Sequence, residues 1–248
     1  MILSNDCFTK DICAKFKKGH CVDGEFCIKL FKLNALYDQA LISDKQRQRI
    51  NLRIDADGTD RNEFQRLQNI ENDILNFVNE GCNLYLYSTT CGNGKSSWAL
   101  RLIQSYFNKI WPSATIECKA LFVNVPKFFL ALKDNISVKS DYIQHIKDNV
   151  AECDIVVWDD IGTKVGTEFE VENLLNIINN RIDNGKSNIY TSNITPVQLQ
   201  ERVGERLYSR IINLSTNSEL RGMDKRGLYW FSYNLSINLL VLETHHYY

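Results

Sequence analysis

The sequence predicts an α/β fold, a mostly parallel sheet covered by helices on both faces, and three observations predict it. From Leu67 onward, short apolar runs alternate with amphipathic helical stretches. One apolar run leads directly into a glycine-rich loop and then a helix, the setting in which backbone N–H groups wrap an anion. Another run, DIVVWDD at 154–160, ends in two acids.

The 248 residues suffice for one sizeable core with a small appendage. The first segment differs in kind from the rest. Cys7, Cys13, Cys21 and Cys27 crowd into it, and His20 adjoins the third. Four thiolates can close a tetrahedral Zn²⁺ site and so order a segment too small for its own core, with His20 as an alternative ligand. The spacing lacks a C-x2-C knuckle. A Cys-rich, zinc-binding module is therefore expected over residues 1–42, and FKLNALYDQALI at 31–42 has helical spacing. Residues 43–66 carry mixed charge, a DGTD turn signal and few apolar side chains, and read as a linker. Residues 67–248 form the main domain. Cys82, Cys91, Cys118 and Cys153 are scattered through it and read as small buried residues.

Within the main domain the elements follow in order. LQNIENDILNFVNEG places Ile70, Ile74, Phe77 and Val78 on one helical face, and Gly81 ends the helix. NLYLYS is a buried strand, and a helix runs from Lys95 toward Trp111 until Pro112 stops it. ALFVNV is a strand, PKFFLALKDN a helix opened by Pro126, DYIQHIKDNVAE another helix, and DIVVWDD a strand. EFEVENLLNIINNRIDNG turns Val171, Leu174, Leu175, Ile178 and Ile182 inward and closes at Gly185. NIYTSN is the next strand, and Thr195 with Gln198 forms a capping box on the following helix. The tail WFSYNLSINLLV alternates apolar and polar residues, as a half-buried strand does.

A formal charge of -1 gives no global sign of a nucleic-acid or membrane partner. The N-terminus has no basic-then-apolar leader, and the longest apolar tract, LYWFSYNLSINLLVL, is broken by Ser and Asn. A soluble, cytoplasmic protein is expected.

The loop STTCGNGKSS is the core of the functional reading. It ends in Gly94-Lys95-Ser96, as a phosphate-binding loop does, but Thr89 holds the place of the usual first glycine. A small residue serves there as long as φ stays negative. Thr89, Thr90, Cys91, Gly92, Asn93, Gly94, Lys95, Ser96 and Ser97 are expected to hold ATP. Gly92 and Gly94 let the backbone approach the phosphates, Lys95 reaches the outer ones, and Ser96 ligates Mg²⁺. Asp159 is the metal-orienting acid expected on a downstream strand, and Asp160 would hold and deprotonate the attacking water.

With these motifs in place, the chain resembles the AAA+ ATPases that load replicative DNA helicases, the DnaC/DnaI type of bacteria and their phages. The resemblance covers about residues 67 to 226, judged from the order of the motifs. DIVVWDDIG resembles the Walker B strand with its double aspartate. IYTSN resembles the sensor 1 strand, which makes Asn193 the residue that helps position water. VGERLYSRI resembles the arginine-finger segment, with Arg210 as the finger. RGMDKR resembles the sensor 2 region, with Arg226 as candidate and Arg221 as fallback. A finger acts on ATP bound by a neighbour, so the resemblance implies a homo-oligomer.

The resemblance further implies a replicative helicase and single-stranded DNA as partners, with residues 1–42 gripping the helicase. Basic residues Lys127, Lys133 and Lys139 are candidates for DNA contact, as are Lys15, Lys17 and Lys18. Two alternatives stay open: a transposition helper ATPase of the IstB type, and an adaptor that keeps ATP as a structural ligand. The chain departs from the family at Thr89, at Lys164 and in the segment 228–248.

Overall fold

The computed structural model describes residues 7, 10, 13–21, 27–48, 50, 52–55, 58–134 and 140–225. Lys139, Arg226 and the expected C-terminal strand lie outside the described residues. The elements in chain order are α1 (Ala14–Lys17), α2 (Ile28–Gln39), α3 (Asp44–Arg47), α4 (Arg61–Asn72), α5 (Ile74–Asn79), β1 (Asn83–Tyr87) and α6 (Lys95–Ile110). They continue with β2 (Ala120–Asn124), α7 (Val125–Asp134), α8 (Asp141–Asn149), β3 (Ile155–Asp159), α9 (Glu168–Asp183), β4 (Ser187–Ser192), α10 (Pro196–Ile212) and β5 (Thr216–Glu219).

The strands form one five-stranded sheet in the order β2-β3-β4-β1-β5, with every pairing parallel. Strand side chains alternate between the faces, so β1, β2, β3 and β4 each feed two cores. Tyr85, Leu121, Val123, Val156, Trp158 and Tyr190 face a core built with α7, α8, α9 and α10. Leu84, Leu86, Phe122, Ile155, Val157 and Ile189 face the other, built with α2, α4, α5 and α6. Burial on both faces explains why these strands read as continuous apolar runs.

Three features differ from the sequence reading. The helix expected from Leu67 begins at Arg61, inside the stretch read as a linker, and is broken at Asp73 into α4 and α5. Asp73 sits at φ -109, ψ 31, and its carbonyl accepts the Phe77 N–H as α5 starts afresh. Strand β5 was not expected, because TNSE holds no apolar residue; its Ser218 is buried. Helix α2 also packs into the main core, through Leu33, Leu36 and Tyr37. Just beyond it, the Ala40 carbonyl accepts the Phe122 N–H (2.9 Å) and so covers the outer edge of β2.

The N-terminal ends of β3 and β4 are held by a buried polar network. Arg181 of α9 is fully buried and donates to Val150 O (2.5 Å), Cys153 O (2.9 Å), Ser187 O (2.6 Å) and Asn188 Oδ1 (2.9 Å). Asn188 Oδ1 also takes the Trp158 indole N–H (3.1 Å), and Asn188 itself is held by Asn83 Oδ1 (2.9 Å). The opposite, C-terminal ends of the same strands carry the candidate site.

Candidate nucleotide site

The loop between β1 and α6 has the backbone its glycines predict. Gly92 (φ 74) and Gly94 (φ 109) are left-handed, a region in which a Cβ would crowd the following carbonyl oxygen. Thr89 is not among the described non-glycine residues with positive φ, so it meets the condition for replacing glycine. Asn93, buried to 4% exposure, pins the loop by donating to Ser88 Oγ (2.6 Å) and Leu220 O (2.9 Å).

The first α-helical bond of α6 runs from the Trp98 N–H to Gly94 O (2.8 Å). The N–H groups of Lys95, Ser96 and Ser97 therefore begin the helix without intrahelical acceptors and carry the positive end of its dipole. Lys95 is 5% exposed, and its ammonium folds back on the loop, donating to Thr90 O (2.9 Å) and Asn93 Oδ1 (3.3 Å). Two left-handed glycines, a helix N-terminus and a nearly buried ammonium fit a polyphosphate.

Across from this loop, β3 ends at Asp159 and the chain turns at Asp160. The β3–β4 register pairs Trp158 with Tyr190, which puts Thr191 beside Asp159. Thr191 Oγ1 donates to Asp159 Oδ1 (2.7 Å) and accepts the Asp160 N–H (3.0 Å). Asn193 Nδ2 donates to Asp160 Oδ1 (2.8 Å), while Asn124, at the end of β2, lies 3.4 Å from Asp160 Oδ2. Burial, and after it the charge of Asp159, pushes the Asp160 carboxyl above the usual carboxylate range; Asn193, Lys95 and Asn124 pull the other way. The Ser88 N–H donates to Ser192 O (3.1 Å), joining the start of the phosphate loop to the end of β4, so the loop after β1, the two acids ending β3 and Asn193 after β4 lie at the ends of three adjacent strands. Ser96 and Asp159 offer the hard oxygens that suit Mg²⁺.

Of the sequence candidates, Lys95, Asp159, Asp160 and Asn193 thus come together. Arg210 does not join them. It is exposed in the last turn of α10, beyond a break at Gly204 (φ 78, ψ 161), with no hydrogen bond or ion pair among the described residues. Arg206 pairs with Glu172 (3.1 Å), and Arg221 pairs with Glu219 (2.5 Å) on the surface. Lys127 is exposed with its ammonium 4.4 Å from the Tyr142 ring, and Lys133 is exposed.

Sequence reasoning missed Asn124, Thr191 and Lys225. The Lys225 N–H donates to Gly92 O (3.0 Å), and its ammonium reaches Arg53 O (2.7 Å) and Asp55 Oδ1 (3.2 Å). Asn124 could have been found as the polar residue ending the otherwise apolar strand ALFVN; Thr191 sits in the mostly polar SNIYTS and stood out by nothing in the sequence. Lys225 has no such signal, because a fold-back after β5 created its contacts.

The expected zinc module finds no support among the described residues. Cys7, Cys13, His20, Cys21 and Cys27 all fall among the described residues, and there no three His, Cys, Asp or Glu side chains gather to hold a metal. Cys27 instead caps α2, its sulfur accepting the Leu30 N–H (3.5 Å). No helix among the described residues is long and apolar enough to cross a membrane.

Comparison with known proteins agrees with this geometry. No curated protein sequence matches the chain. Its fold is similar to that of the DnaC helicase loader (19% identity, TM-score 0.55), over 69% of this chain and 94% of that one. It is also similar to a protein from Streptococcus pyogenes serotype M3 described as a primosome component (22% identity, TM-score 0.55), over 77% of this chain and 98% of that one. A third likeness is to the replication initiator DnaA bound to AMPPCP and single-stranded DNA (19% identity, TM-score 0.50). It covers 65% of this chain and 46% of that one, so the match spans under half of that protein. The profile of the bacterial DnaA ATPase domain matches residues 63–215, which include the phosphate loop, both aspartates, Asn193 and Arg210. The chain belongs to the bacterial DnaA ATPase-domain family.

Proposed function

We propose that this protein is an ATPase that loads a replicative DNA helicase onto single-stranded DNA when replication starts. The observation that carries the reading is that the loop holding Lys95, the Asp159–Asp160 pair and Asn193 lie at the C-terminal ends of three adjacent strands, with Asn193 bonded to Asp160. The likeness to the DnaC loader over nearly all of that protein's length supports the helicase part. The DNA-bound DnaA likeness supports a single-stranded DNA partner.

In this reading Gly92 to Ser97 bind the phosphates of ATP through backbone N–H groups, and Lys95 leaves Thr90 and Asn93 to pair with the outer phosphates. Ser96 and Asp159 hold Mg²⁺, which, when bound, neutralises phosphate charge. Asp160 orients water and accepts its proton, and Asn193 fixes the carboxylate that does so. Arg210, exposed and unengaged by its own chain's described residues, reaches the ATP of a neighbouring copy. Residues 1–42 contact the helicase, and Lys127, Lys133 and Lys139 contact DNA.

The test is unwinding by the cognate helicase on a template coated with single-strand-binding protein. Stimulation by the parent protein but not by Lys95→Ala is the expected result. Absence of stimulation, with no association between the two proteins, would reject the loader reading in favour of a transposition helper. Tight ATP binding with no turnover would instead favour the adaptor.

A further inference from the structure

The hydroxyl of Thr191 is the part of the site that no motif accounts for. Thr191 is fully buried in β4, with its side chain between the two acids that end β3. A hydroxyl has one proton to give, and here it goes to Asp159 Oδ1 at 2.7 Å. Its lone pair then takes the Asp160 N–H at 3.0 Å. The Thr191 carbonyl receives the next amide, that of Ile161, at 2.9 Å. One residue therefore seats two successive N–H groups of the turn that leaves the sheet.

That turn is a strained one. Asp160 is left-handed (φ 60), a state it shares with only Leu41 and Asp60 among the described non-glycine residues. A buried N–H leaving a strand needs an acceptor, and the neighbouring strand supplies one by side chain because its backbone carbonyl is already used. The same hydroxyl fixes which Asp159 oxygen stays available. With Oδ1 engaged, Oδ2 has no hydrogen-bond partner among the described residues.

We infer that Thr191 is a positioning residue for the metal-dependent step: its hydroxyl holds Asp159 with one oxygen free for Mg²⁺ and holds the Asp160 backbone in the turn that presents its carboxylate to Asn193. The inference rests on the proposed ATP chemistry. Thr191 touches neither the nucleotide nor the water, and it acts through both acids. Partners of this kind, one bond behind a metal ligand, typically change metal affinity or activity by about 10–100-fold when removed.

The experiment compares the parent with Thr191→Val, Thr191→Ala, Thr191→Ser and Asp159→Asn, each checked for folding by thermal unfolding. Two curves are taken: fluorescent ATP binding against Mg²⁺ concentration, and steady-state turnover against Mg²⁺ concentration. Val and Ala are expected to bind ATP without Mg²⁺ as the parent does, to need about 10-fold or more Mg²⁺ for half-saturation, and to lose about 10–100-fold in kcat. Ser, which keeps the hydroxyl, should stay within a few-fold of the parent. Parental Mg²⁺ dependence and kcat in whichever of Val and Ala folds would overturn the inference. So would a Ser variant as impaired as Val, because the methyl group and not the hydroxyl would then matter. A parent that binds ATP with Mg²⁺ but never turns it over would refute the ATPase reading alone, and the binding curves would still decide the role of Thr191.

Discussion

Replacing Arg181 by methionine tests how the two strand ends opposite the nucleotide loop are held. Methionine keeps most of the apolar stem but removes every donor. Val150 O, Cys153 O and Ser187 O each lose a guanidinium N–H, whereas Asn188 Oδ1 keeps the Trp158 indole. A buried acceptor left without a donor costs about 1–3 kcal/mol, so three of them give roughly 3–9 kcal/mol. Against this stands the relief of not burying a cation, since apolar replacements of buried charges regain about 1–4 kcal/mol. Taking the middle of each range, the net expectation is a loss of about 3–4 kcal/mol. Lysine should not rescue it, because one ammonium cannot reach acceptors spread around a planar fork. Urea unfolding followed by circular dichroism and by Trp fluorescence measures the change as a midpoint shift at constant slope. ATP affinity of the folded protein should be unchanged, because the network lies at the far end of β3 and β4. A loss under about 1 kcal/mol for methionine would refute the reasoning, as the carbonyls would then have been satisfied without Arg181.

Three further outcomes follow from the site. Lys95→Ala should weaken ATP binding by about tenfold or more, the loss of one charged hydrogen bond to phosphate, while Thr89→Gly should leave it nearly unchanged; titration with a fluorescent ATP checks both. Because burial and Asp159 raise the Asp160 carboxyl above its ordinary range, turnover should fall on acidification at a higher pH than an ordinary aspartate would give. Asn193→Ala, which removes a bond to the ionised form, should move that acid limb higher still in a pH–kcat profile. The same raised carboxyl means the native state holds this proton more tightly than the unfolded chain. Its contribution to stability is full at low pH and is lost as pH rises through the folded-state value. Finally, mixing Lys95→Ala with Arg210→Ala protein should restore part of the ATPase that neither has alone; no recovery at any ratio would remove Arg210 from the proposed shared site.

Much of this was legible in the chain because it rests on local rules. Strands buried on both faces announce themselves as apolar runs, and Thr167, Thr195 and their partners Glu170 and Gln198 form the capping boxes that open α9 and α10. The loop and the double aspartate are motifs with fixed chemistry, and Asn193 lies one residue past the strand that carries it. What was not legible depends on tertiary contact. β5 carries TNSE and is a strand only because β1 offers it a free edge at Leu84 to Tyr87. The early start of α4 rests on a single apolar residue, Phe64, three before Leu67 and edge-on to Trp98, set among charged neighbours that read as linker. In the cysteine cluster, residue type suggested a metal, and the fold shows Cys27 as the cap of α2.

The fold-back after β5 has a mechanical consequence. Asp60 receives the N–H groups of Arg221 and Gly222, Asp55 receives that of Met223, and Lys225 closes onto Gly92. The stretch entering the ATPase core and the stretch leaving it are thus buckled together at the nucleotide loop. The shortest bonded path from either flank to Gly92 therefore runs through Asp55 and Lys225 and does not cross the sheet.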